Sequence, residues 1–200
     1  MVDEMYSSGL VSQSFWFVEM KKIIKLVSEG KDEHEIRKIC IEENLFGAAK
    51  EYRAKRIYGY LWKRVKALDE TMIELFLDSD LQTQKLINLI AVLKVDRLFF
   101  EFIYEVYREK SILGVPNIED ADVNIFFNNK EIQNEDVANW TDATKKRLCS
   151  AYMNFMVDAN LLTVVEKVKT ITPPIIDIAL ERYLESTGNG SIAKAIMGVR

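Results

Sequence analysis

Basic side chains crowd one short stretch of the chain. Lys50, Arg53, Lys55, Arg56, Lys63, Arg64 and Lys66 follow one another with Glu51 as the lone acid among them. At about 100° per residue of a helix, Ala54, Ile57, Tyr58, Leu61, Val65 and Leu68 gather on one apolar stripe. The cations then spread over the remaining arc, with Tyr60 among them. Like charges spaced three or four apart weaken a helix slightly, so a nearly uniform basic face costs stability unless a partner offsets it. Lysine and arginine displace counterions from phosphates, which makes such a face suited to a polyanion. The competing reading is a solvated helix whose cations pair with acids from elsewhere in the chain. A second cluster, Lys145, Lys146 and Arg147, falls in the first turn of a helix expected to start at Thr141. Positive charge there opposes the helix dipole.

Other chemistries lack their residues. The single histidine, His34, lies between Glu33 and Glu35 and reads as a solvated side chain. Cys40 falls on an apolar helical face and reads as core, and Cys149 is too distant in sequence to suggest a disulfide framework. Asp120, Asp122 and Asn124 have calcium-loop spacing, but the sixth loop position is not glycine. Neither G-x-x-x-x-G-K-[ST], G-x-G-x-x-G nor G-x-S-x-G occurs. No catalytic residue, metal, cofactor or small-molecule substrate is therefore expected.

The 200 residues are 48% hydrophobic and 29% charged, which suits a globular protein rather than a disordered one. No apolar run reaches the ~18 residues of a membrane span; Leu86 to Leu93 is interrupted by Asn88. Asp3 and Glu4 interrupt any signal-like start, so a cytoplasmic protein is expected. The net charge of -4 is uneven: residues 1–68 carry an excess of three positive charges, and residues 69–200 an excess of seven negative ones.

The elements that must position these residues are almost all helical by spacing. Ser14 is expected to cap a first helix presenting Trp16, Met20, Ile23, Ile24 and Val27 on one face, ended by Gly30. Asp32 with Glu35 has capping-box chemistry. The basic third helix is expected from about Phe46 to Leu68, and a short one over Thr71 to Leu77. Asp80 caps a segment reaching Lys110, with Val95-Asp96 as the expected break. After a loop at Ser111 to Asn117 come short helices over Asp120 to Phe127 and Ile132 to Ala138, then the long helix, capped by Thr141 or Asp142. Leu161 to Ile171 is rich in β-branched residues around Glu166-Lys167 and reads as a β-ribbon. Pro173-Pro174 is expected to open a last helix near Ile175, with a loose tail beyond Gly188-Asn189-Gly190. The fold class is mainly α: a multi-helix bundle with a small β-ribbon or wing near the C-terminus. Two parts are expected, 1–78 with the basic third helix and 79–200. Within the second, 119–172 has the element order of a winged helix, whose reader helix would start at Thr141 and whose wing would carry Lys167 and Lys169. A plain helical bundle with an incidental hairpin is the alternative.

Several short runs, in order, resemble the BrxA family of bacteriophage exclusion (BREX) systems. They are Tyr6-Ser7-Ser8-Gly9-Leu10, Glu43-Asn44-Leu45-Phe46, Arg53-Ala54-Lys55-Arg56-Ile57, and the stretch Gln84 to Lys110 ending Glu105-Val106-Tyr107-Arg108-Glu109-Lys110. Val137-Ala138-Asn139-Trp140, Thr144-Lys145-Lys146 and Ala159-Asn160-Leu161-Leu162 complete the series. The resemblance implies a non-catalytic phage-defence protein with a helical fold like that of the antitermination factor NusB, binding double-stranded DNA and working beside other BREX subunits. By position, Arg53, Lys55 and Arg56 match one basic run of the family, and Lys145 and Lys146 match a second. Two other readings stay open: an adaptor docking on acidic surfaces of other defence subunits, and an RNA-binding factor like NusB.

Overall fold

Residues 5–200 are described by the structure, a computed structural model, so Asp3 and Glu4 lie outside the described residues. Packing divides the chain into two units, Phe15–Val95 and the chain up to Ser14 together with Asp96–Arg200. The sequence pattern suggested a division at 78/79 instead. Leu81–Val95 stays with the first unit because it is buried against the helices that precede it.

The Phe15–Val95 unit comprises α1 (Phe17–Ser28), α2 (Glu33–Ile41), α3 (Glu51–Lys66), α4 (Glu70–Asp78) and α5 (Leu81–Val95). Three aspartates start helices by satisfying otherwise orphaned amides. Asp32 accepts from Glu35 N at 2.8 Å while Glu35 accepts from Asp32 N at 3.0 Å, the expected capping box. Asp69 accepts from Met72 N at 3.0 Å and Asp80 from Thr83 N at 2.7 Å. Ser14 does not cap α1. Trp16 occupies that position in the left-handed region, φ 47°, and its carbonyl accepts from Met20 N at 2.9 Å. The face of Met20, Ile23 and Ile24 is buried as its spacing requires, and Gly30 ends α1 at φ 78°. The third helix starts at Glu51 rather than Phe46. Asn44 takes φ 53° and Gly47 φ 64°, and the Asn44 amide both donates to Ala48 O (3.0 Å) and accepts from Ala48 N (2.8 Å), which forms a turn where a helix could have begun.

In the other unit, a 3₁₀ turn at Gly9–Ser12 buries Leu10. Asp96 breaks the long helical segment as expected, capping α6 (Arg97–Phe102) through Phe99 N at 2.9 Å. A π-helical turn, Ile103–Tyr107, then joins α6 to α7 (Arg108–Ile112). Phe99, Phe102, Ile103 and Tyr107 fall at offsets 0, 3, 4 and 8, one helical face, and all are buried. Next come α8 (Asp120–Gln133), α9 (Glu135–Ala138) and α10 (Asp142–Asp158). α8 runs further than expected and leaves only four residues to α9. Tyr152 of α10 stacks on Phe99 at 4.6 Å and lies 5.3 Å from Phe102, the centre of an aromatic core.

The β-ribbon is present: β1 (Leu162–Val165) pairs antiparallel with β2 (Val168–Ile171). Glu166 and Lys167 form its turn at φ 50° and 70°, the two positive values of a type I′ hairpin turn. The other edge of β2 is held by the loop before α8, with Ile171 N donating to Pro116 O at 2.6 Å. The last helices differ from expectation. α11 (Ile178–Ser186) begins after an Asp177 cap rather than at Ile175. Residues after Gly190 are no loose tail but α12 (Gly190–Met197), whose Ile192, Ala193, Ala195 and Ile196 are buried.

An ion network ties this unit together. Lys130 of α8, only 3% exposed, reaches Glu101 (2.7 Å) and Glu105 (2.6 Å). Glu101 also accepts from Tyr6 Oη and Arg97 Nε, both at 2.7 Å. Burial alone would raise the Glu101 pKa, but the hydrogen bonds from Lys130, Tyr6 and Arg97 outweigh it and hold the carboxyl below its ordinary value. A carboxyl with a depressed folded pKa contributes stability above its unfolded pKa of ~4.3 and loses it as pH falls through the folded value. Urea melts are therefore expected to weaken on acidification below about pH 4, and Glu101→Gln to flatten that acid limb. An acid limb equally steep in the variant would show that this carboxyl does not contribute.

Candidate nucleic-acid interface

α3 sets the basic face. Its apolar stripe is buried as the spacing requires: Ala54, Tyr58, Leu61, Val65 and the following Leu68 all lie in the core, with Ile57 at its border. Lys50, Arg53, Arg56 and Lys63 stand exposed. Lys55 pairs with Glu51 at 2.6 Å, and Lys66 with Glu33 at 3.3 Å. All four of these partners are more than half exposed, so each pair is weak and open to exchange. The lysine bond holds the Glu51 carboxyl below its ordinary pKa.

Arg64 does not belong to this outer face. It is fully buried, and its guanidinium Nη1 donates to the Phe15 carbonyl at 2.8 Å. Asn88 Nδ2, from α5, donates to the same oxygen at 3.0 Å. The guanidinium also sits 5.6 Å from the Trp16 ring, and Trp16 in turn stacks on Tyr60 at 6.2 Å. Tyr60 is consequently half-buried and occupied by that stacking. The signal for Arg64 was its spacing: it follows Ile57 by seven residues and Leu61 by three, which places it at the edge of the apolar stripe. Tyr52 is the opposite case, an aromatic 63% exposed on the basic arc four residues before Arg56.

The second cluster is weaker than its sequence suggests. Thr141 caps α10, accepting from Thr144 N at 3.2 Å. Lys145 is drawn into a pair of carboxylates, Glu131 at 2.5 Å and Asp142 at 3.1 Å, and these bonds raise its pKa. Only Lys146 and Arg147 remain exposed there. Lys145, Lys146 and Lys169 line a cleft with Asp120, Glu131 and Asp142, so its charge is balanced. The remaining candidates take the places expected of them. His34 is exposed, and burial pushes the Cys40 thiol up to about 12. Among the described residues, no group of three or more His, Cys, Asp or Glu could hold a metal, and no helix is long and apolar enough to cross a membrane.

Residues 4–188 match the BrxA family model. The chain is 35% identical over 196 residues to a protein of Bacillus cereus (strain H3081.97) named BREX protein BrxA, covering 98% of each chain. It is also similar in fold to an uncharacterized protein from Magnetospirillum magneticum, with a TM-score of 0.82 at 18% identity over 96% of this chain and 98% of that one.

The two kinds of arginine on α3 should separate cleanly in urea melts. Arg64→Ala strands the Phe15 carbonyl with one donor fewer and opens a cavity, and should cost about 3 kcal/mol or more. Arg53→Ala should stay within about 0.5 kcal/mol of wild type. Equal effects would contradict the assignment of Arg64 to the core.

Proposed function

The chain belongs to the BrxA family, and on that premise we propose that it serves a BREX phage-defence system as a DNA-binding accessory protein, without chemistry of its own. The observation that carries this reading is the exposed cationic arc of α3 and the preceding Lys50: among the described residues, Lys50, Arg53, Arg56 and Lys63 stand exposed with no acid paired to them, and Lys55 and Lys66 hold only exposed, exchangeable partners. Exposed cations of this kind contact phosphates, which orients a duplex and conveys little sequence information. Weak or absent sequence preference follows. Lys146 and Arg147 on α10, with Lys167 at the hairpin turn, supply a second and smaller set of phosphate contacts. Other BREX subunits are the partners such an accessory protein would deliver to or receive from DNA.

The acidic remainder of the chain does not argue against this. A local field acts over roughly 10 Å at ordinary salt, so the face of α3 is what an approaching duplex meets, not the net charge.

A mobility-shift titration with a short random-sequence duplex at roughly 50 and 200 mM salt tests the reading. Affinity should fall by about 10³ across that range if several phosphates are contacted. Replacing Arg53, Arg56 and Lys63 together with Ala should weaken binding and flatten the salt dependence by about one counterion per lost contact. No shift at the lower salt would reassign the arc to an acidic protein partner. Preferential competition by structured RNA would reassign it to RNA.

A further inference from the structure

The centre of the basic arc is not a cation but a glycine. Gly59 lies mid-way along α3, is exposed, and continues the helix without a break. Among the described residues, a Cβ built there would meet no heavy atom within 4 Å. No neighbouring element therefore requires glycine for close packing. Its backbone is not in the left-handed region either, unlike that of Gly30 or Gly47. Within this chain the residue only weakens the helix, since glycine in a helix interior is less stable than alanine.

Its surroundings on the arc are specific. Arg56 precedes it by three residues, Lys55 by four and Tyr52 by seven, while Lys63 follows by four and Lys66 by seven. On a helix these positions surround one spot on the surface. The result is a bare patch of main chain ringed by cations and one exposed tyrosine.

We infer that Gly59 is a point of close approach, where the sugar-phosphate backbone of duplex DNA lies against the bare main chain of α3 between Arg56 and Lys63. The inference rests on the DNA-binding reading above and adds a positioning residue to it. Charge complementarity selects a polyanion as the occupant. Stiffness selects the duplex: a glutamate or aspartate side chain of a protein partner could bend around an added methyl group, whereas a duplex backbone is displaced as a whole. Coulomb attraction falls with distance, so displacement weakens the contacts of the ringing cations together.

The test is a set of variants of the full chain, Gly59→Ala and Gly59→Leu, each measured by thermal melting and by duplex mobility shift, beside the Arg53/Arg56/Lys63 triple Ala variant. Both glycine variants should melt no lower than wild type. Gly59→Ala should bind about threefold more weakly and Gly59→Leu about tenfold or more, as overpacking a close contact does. Wild-type affinity in both, alongside a weakened triple variant, would overturn the close approach and leave the DNA reading intact. Weakened binding together with a lower melting temperature would also overturn it, because the glycine would then be serving the fold. No shift by the wild-type protein would overturn both readings at once.

Discussion

One carbonyl oxygen, that of Phe15, organises the Phe15–Val95 unit. It receives a hydrogen bond from Arg64 of α3 and another from Asn88 of α5, at the point where the chain turns through a left-handed Trp16 into α1. A carbonyl has two lone pairs, and here both find a donor. Burying a guanidinium is expensive unless its geometry is well satisfied, so the arrangement tolerates little rotation of α3. With Arg64 held inward, the rotation of α3 about its axis is set, and Arg56 and Lys63 project from the exposed side of the helix. Trp16 and Tyr60, stacked on each other beside the guanidinium, close the same corner.

Charge on this molecule is best understood by what each cation already touches. Lys130 is consumed by Glu101 and Glu105 inside the core, Lys145 by Glu131 and Asp142 on the surface of α10, and Arg64 by a main-chain carbonyl. Each of these contributes to the formal charge and none to an outward field of any strength. The exposed cations of α3 do the reverse. An acidic chain can in this way carry an exposed basic face, because the acids that outnumber its bases are placed on other elements or spent on internal pairs. The pairs that α3 does make, Lys55 with Glu51 and Lys66 with Glu33, lie in solvent and are weak.

The chain belongs to the BrxA family, and the likeness to a structure at 18% identity shows that the fold persists when few of its residues do. The exposed faces of this chain carry Tyr52, the bare helix at Gly59, and the valines Val164, Val165 and Val168 displayed by the hairpin.

Much of the architecture was legible in the sequence because it depends on local chemistry. The caps at Asp32, Asp80 and Thr141, the stop at Gly30, the break at Asp96 and the hairpin around Glu166-Lys167 each involve residues within a few positions of one another. The same holds for the apolar stripe of α3, where periodicity alone separates inside from outside. Tertiary structure decided what involves partners far along the chain. Ser14 carries a good capping side chain, but distant Arg64 and Asn88 hold the Phe15 carbonyl, and Trp16 takes the cap position. The basic run of α3 could be counted from sequence, yet which cations were free could not. Arg64 is bound by a carbonyl 49 residues away and Lys145 by a carboxylate 14 residues away. Periodicity reports which face a side chain occupies, whereas the availability of its charge depends on which groups the fold brings to meet it.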